Sequence, residues 1–198
     1  MMHIVYRIQY TDFIIRNTGK IQMEIPSLPS VFDATEWFLD TALNDGEYLQ
    51  PMKMQYLMYL AQGYYAAACG GKRFIPSVFV ATERGPVEPN SYRLYASARP
   101  VVQYQSIDRK ATAFMETIWR RFGAYSAEWL FRTICGHAPY ARAFAAGAGT
   151  EIEQDDMTAF YSGKQSDFSK TAPLSGMRVL RTGTGKTVAV KKWIPVNK

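Results

Sequence analysis

Residues 50–71 read QPMKMQYLMYLAQGYYAAACGG. Pro51 suits the first turn of a helix, where a missing N–H costs nothing. From there Met54, Leu57, Met58, Ala61, Tyr65 and Ala68 recur at intervals of three and four, one apolar helical stripe, and Gly70-Gly71 supplies residues that end a helix. Lys53, Gln55 and Gln62 fall off that stripe, so the pattern predicts one face in the core and one toward water. Met52 stays open between two readings: thioethers make adaptable binding surfaces, yet methionine at helical spacing is usually core.

Working outward, Ser30 stands three residues before Asp33, and Val31, Ala34, Phe38, Leu39 and Ala42 follow at helical spacing, predicting a first helix over about 31–43. Downstream, SVFVAT at 77–82 reads as a short strand. ERGPVEPNSYRLY at 83–95 then reads as a stiff, wet turn, with Asn90 capping a short helix through Tyr92 and Tyr95. Ile107, Ala111, Phe114, Met115, Ile118 and Phe122 share one helical face that Gly123 closes. Ser126 caps a further helix carrying Leu130 and Ile134, with Glu128 and Arg132 four apart on its side, and Pro139 opens another turn. The acids of TEIEQDDMTAFYSG at 150–163 favour a helix N-terminus, with Ile152 and Phe160 as apolar contacts.

The ends differ from this helical middle. Residues 4–15 mix β-branched and aromatic residues with period-two stretches, while MRVLR and KTVAVKKW flank TGTG as a hairpin would. SLPS at 27–30 and SDFSKTAPLSG at 166–176 read as linkers. The expected fold class is therefore mainly α: a compact multi-helix domain over 31–163 with a small β element, a strand-like extension over 1–30, and a basic extension over 164–198 forming a β-hairpin.

A chain of 198 residues with 47% hydrophobic and 14% aromatic content is long and apolar enough for one sizeable core. Residues 1–30 carry three basic and two acidic groups, residues 31–163 twelve and fourteen, and residues 164–198 eight and one. The net charge of +6 thus comes from the last segment, which is either a solvated tail or a surface for nucleic acid, an acidic partner or a membrane. Two cysteines, Cys69 and Cys135, form no disulfide framework and suit a reducing compartment. Arg7 and Asp12 interrupt the apolar start, so neither a secretory signal nor a membrane span is expected and the reading is of a soluble, cytoplasmic protein.

Catalytic signals are weak. RTGTGKT at 181–187 ends like a phosphate loop, but position 180 is Leu180 where a glycine is needed, and only eleven residues follow Thr187 where a long helix is needed. No CxxC or HxxxH spacing occurs among Cys69, Cys135, His3 and His137, so no metal site is expected. Cys135 with His137 as base lacks a supporting arrangement, and Asp155 with Asp156 reads as first-turn helix acids.

In order and at sensible spacing, VFDATEWFLDTAL, QPMKMQYLMYLAQGYY, TERGPVEPNSY, IWRRFGAYSAEWL and Pro139-Tyr140 resemble the SocA-like Panacea antitoxin domain, over about residues 31–163. This chain departs from that pattern at Tyr56, where the family has lysine, at Thr82, where it has tryptophan, at Arg84, where it has an aromatic or histidine, and at Ile134 and Cys135, where it has Thr-His. The resemblance implies a mostly helical fold, no catalytic centre, no cofactor, and a cognate toxin protein as partner, neutralised by direct contact or handed to a protease machine. A toxin-binding face is then expected at the turn, where Gly85 and Pro86 fix the backbone and Arg84, Val87 and Tyr92 are displayed, together with the exposed side of the second helix at Lys53 and Gln62. The bland alternative makes the same turn a corner joining strand to helix. The rival reading from another class is a nucleic-acid-binding regulator whose tail residues Arg178, Arg181, Lys186, Lys191 and Lys192 contact the phosphates of operator DNA.

Overall fold

The computed structural model describes residues 25, 27–102, 106–170, 177–181 and 187–191, with the backbone alone for 164–170 and the last two stretches. The strand expected over 4–15 lies outside them. The chain divides into two compact units at Gln165/Ser166.

The first unit is built around one helix. α1 (Val31–Asn44) starts where the Ser30 hydroxyl accepts the N–H of Phe32, and α2 (Pro51–Ala68) starts at Pro51. α2 is buried without a break from Lys53 to Ala66, so it has no watery face and the expected amphipathic helix is corrected to a central one. Its rings carry the core: Tyr65 meets Phe74 and Phe114, Tyr64 stacks on Phe122, and Tyr59 packs edge-on against Phe79 and Tyr161. Each such side chain contributes about 1.5–3 kcal/mol on burial. A polar group in the same place costs a comparable amount unless it is hydrogen-bonded.

Around α2 lie β1 (Val80–Thr82), β2 (Gly85–Val87), α3 (Pro89–Leu94), α4 (Arg109–Phe122), α5 (Ala127–Cys135), α6 (Ala138–Ala146) and α7 (Gln154–Lys170). α4 buries Ala111, Phe114, Met115, Ile118 and Phe122, the predicted face, while Ile107 precedes its Asp108 cap. α5 is capped by the Ser126 hydroxyl and closed by Gly136. α7 continues through residues 166–170, where a linker was expected. Leu28 of the other expected linker is buried, and its N–H donates to the Phe74 carbonyl at 2.8 Å.

The β element also corrects the reading of the turn. β1 and β2 pair antiparallel with Val80 opposite Val87, Ala81 opposite Pro86 and Thr82 opposite Gly85, so the tight turn is Glu83-Arg84 and GPV is a strand. A third piece of backbone joins the other edge of β1: Gly149 N–H donates to Ala81 at 2.7 Å, Ala81 to Thr150 at 2.8 Å, and Ile152 to Phe79 at 2.7 Å. Pro86 removes a donor from the outer strand, which blunts that edge. Glu88, not Asn90, caps α3: its carboxylate accepts the N–H groups of Asn90 at 3.2 Å and Ser91 at 2.7 Å, and the Ser77 hydroxyl at 2.6 Å.

In the second unit β3 (Met177–Arg181) and β4 (Thr187–Lys191) form an antiparallel hairpin with Met177 opposite Lys191 and Arg181 opposite Thr187. A strand therefore begins at Thr187 where a phosphate loop requires a helix.

Candidate partner-binding site

Most of the residues expected to face a partner turn inward. Lys53 is buried: its ammonium donates to the Gly123 carbonyl, lies 3.8 Å from Glu47 and sits 5.8 Å from the Trp119 ring centre, tying α2 to the end of α4. Gln62 is also buried, its amide oxygen accepting Phe74 N–H at 3.1 Å and Ile75 N–H at 2.9 Å while its nitrogen donates to Gln154 at 2.9 Å. Gln55, seven residues earlier, does the same work one level down, accepting Glu88 N–H at 2.8 Å and donating to the Ser91 hydroxyl at 3.0 Å. Gly85, Pro86 and Val87 are buried in β2, and Tyr92 is half-buried in α3. Gly85 has φ +106°, and a Cβ there would lie 2.7 Å from the Tyr56 ring, so both its backbone angle and its neighbour demand glycine. The displayed set thus reduces to Arg84, with Glu83 beside it.

These two form the rim of a groove of about 400 Å³ lined by Met52, Tyr56, Glu83, Arg84, Ala127, Glu128 and Phe131. Tyr56 and Phe131 stack at 6.2 Å with 25° between ring planes, joining α2 to α5 under the hairpin tip. The Tyr56 hydroxyl donates to the Arg84 carbonyl, and Arg84 N–H donates to the Thr82 hydroxyl at 3.3 Å, so the turn's backbone is pinned from both sides. Glu128, also in the lining, is paired with Arg132. Tyr56, where the resembled family has lysine, is thus the residue that links groove to turn. Sequence reading left Met52 undecided and missed Phe131, whose three-residue offset from Glu128 offered only a weak signal.

Burial raises the Tyr56 phenol from 10.0 to about 12, and Cys135 and Tyr140 nearby push the same way. Burial likewise raises Tyr140, beside Cys135, to about 12, and lifts Tyr59, Tyr95 and Tyr161. The neutral phenols are favoured in the fold, so their contribution is fully present below the unfolded value near 10 and is lost as pH rises through about 12. Urea midpoints should hold steady up to about pH 9.5 and fall beyond about pH 10, with phenolate absorbance following unfolding. Phenolates appearing near pH 10 in an intact fold would show that these rings are solvated.

The remaining candidates are dispersed. His137 is buried with Nδ1 3.0 Å from the Tyr161 hydroxyl and its ring against Phe160, while Cys135 is partly buried and burial raises its thiol. Arg142 engages Asp156 while Asp155 is exposed, as first-turn acids of α7. Among the described residues no group of three His, Cys, Asp or Glu could hold a metal, and no helix is long and apolar enough to cross a membrane. In the hairpin, Arg178, Arg181 and Lys191 stand opposite Val190, Thr187 and Met177; Lys186 and Lys192 lie outside the described residues. A surface feature without a sequence signal is the Tyr125–Trp129 stack, 3.9 Å between ring centres and both rings part-exposed. Comparison with known protein families, with curated proteins and with solved structures returns no match.

Proposed function

We propose that this chain is a protein-binding antitoxin that works in the cytoplasm and neutralises a toxin encoded beside it. The observation that carries a binding role is the groove: half-buried Phe131 and Met52, with Phe131 backed by the buried Tyr56 ring, beside a hairpin tip whose backbone is pinned and whose Arg84 side chain is exposed. A fixed backbone presenting arginine beside rings loses little entropy on association, and arginine and aromatic residues dominate binding energy at protein interfaces. The resemblance over residues 31–163 supplies the kind of partner, and neutralisation by direct contact is the simpler reading than delivery to a protease.

The test is bacterial growth with the adjacent gene induced alone and then together with this one. Killing by the neighbour and rescue by this chain supports the reading; a harmless neighbour, or killing without rescue, defeats it. A second reading, control of operator DNA, is favoured by the paired strands that carry Arg178, Arg181 and Lys191 within the basic segment. It predicts a salt-dependent operator shift that is lost when residues 164–198 are deleted.

A further inference from the structure

We propose that the groove beside the hairpin tip takes a segment of the neutralised protein carrying an aromatic side chain next to a carboxylate, the ring resting on Phe131 and Met52 and the carboxylate on Arg84. The proposal rests on the binding reading above and names the chemistry of its partner.

The floor asks for an apolar or aromatic group. Phe131 and Met52 are half-buried, while Tyr56 is buried, stacked on Phe131 at 6.2 Å and 25° with its hydroxyl donating to the Arg84 carbonyl, so Phe131 ring surface and the Met52 thioether are left to be covered. Burial keeps that phenol neutral, so it does not compete as an anion for the guanidinium above it. Offset or tilted rings pack favourably on such a surface.

The rim asks for an anion. Among the described residues no hydrogen bond or ion pair engages the Arg84 guanidinium, although both backbone groups of Arg84 are held. Glu128, which also lines the groove, pairs with Arg132 one turn along α5 and not with Arg84. Glu83 shares the turn and would accept a cation. A planar guanidinium can grip a carboxylate through two parallel hydrogen bonds beside a ring floor that water leaves on binding, whereas an ammonium at an exposed carboxylate makes a weaker, screened contact. The arginine therefore sets the sign of the partner.

The experiment measures affinity between the purified full chain and the purified product of the neighbouring gene by calorimetry, with a thermal melt for every variant. Arg84→Glu is expected to weaken binding at least about tenfold with the melting temperature unchanged. Ala127→Trp, which fills the groove from the first turn of α5, should weaken it by a similar factor, while Glu83→Gln should stay within about twofold. A lysine placed at the contacting carboxylate of the partner should restore binding to Arg84→Glu. If the wild-type chain binds its neighbour and Arg84→Glu and Ala127→Trp bind equally well, the groove assignment is wrong and the binding reading survives. Loss on Glu83→Gln, with Arg84→Glu tolerated, would reverse the sign of the partner and overturn the proposal. A neighbour that does not bind the wild-type chain overturns both readings. Should Ala127→Trp melt early, the exposed Arg84→Glu change carries the test alone.

Discussion

Gly63→Ala will destabilise the fold by about 2–3 kcal/mol, although the same change in an unobstructed helix gains about 1 kcal/mol. A Cβ at position 63 would fall on the edge of the Tyr161 ring, 2.8 Å from Cζ and closer still to Cε2 and Cδ2. The ring has nowhere to go. It is fully buried, its hydroxyl lies 3.0 Å from His137 Nδ1, and Tyr59, Tyr64 and Phe160 surround it. Relief must therefore come from separating α7 from α2, which opens contacts along both helices. Gly163 in α7 supplies the contrast: a Cβ there meets nothing within 4 Å, so Gly163→Ala should stabilise by about 0.5–1 kcal/mol. Urea unfolding of both variants reads the sign directly. In a double-mutant cycle, Tyr161→Leu should remove at least about 1 kcal/mol of the Gly63→Ala cost. A stabilising Gly63→Ala would mean that the two helices do not approach as described.

The close approach at Gly63 also marks where sequence reasoning reached its limit. Periodicity locates a helix by the contrast between its faces, and it worked where that contrast exists, as in α4 with Ala111, Phe114, Met115, Ile118 and Phe122 inward and Arg120 exposed. Caps were legible for a related reason, since Ser30 and Ser126 satisfy N–H groups two or three residues away. α2 defeats the same logic because it is covered on every side, so its polar residues mark hydrogen bonds to distant backbone. Gln55 reaches Glu88 and Lys53 reaches Gly123, separations of 33 and 70 residues that no local pattern encodes. GPV misled for a different reason: three residues are too few to show a strand's two-residue period, and glycine with proline reads as a turn until the register places Gly85 opposite Thr82. The groove was half legible. Arg84 stood out as an exposed cation in a stiff segment, but its floor joins Tyr56 to Phe131 across helices far apart in sequence.

Gln62→Leu will cost about 3 kcal/mol, and it separates a core role from the partner-facing one that its place off the apolar stripe suggests. The leucine is close in size and adds apolar surface, so loss of packing is not the issue. The change leaves the N–H groups of Phe74 and Ile75 without their acceptor, in residues that are both fully buried, at about 1–3 kcal/mol for each. It also removes the donor to Gln154, whose own amide nitrogen reaches toward the carbonyls of Gly71 and Lys72. The segment after α2 should loosen first, which hydrogen exchange at Phe74 and Ile75 would detect as lost protection. Gln62→Glu keeps an acceptor for both N–H groups, and Gln154 can turn its nitrogen toward the new carboxylate, so it should cost at least about 1 kcal/mol less than leucine. A role in partner contact would give the opposite record: Gln62→Leu with unchanged urea midpoint and exchange but weakened binding. That result would return Gln62 to the surface and undo the account of α2 as the helix on which the rest of the unit is hung.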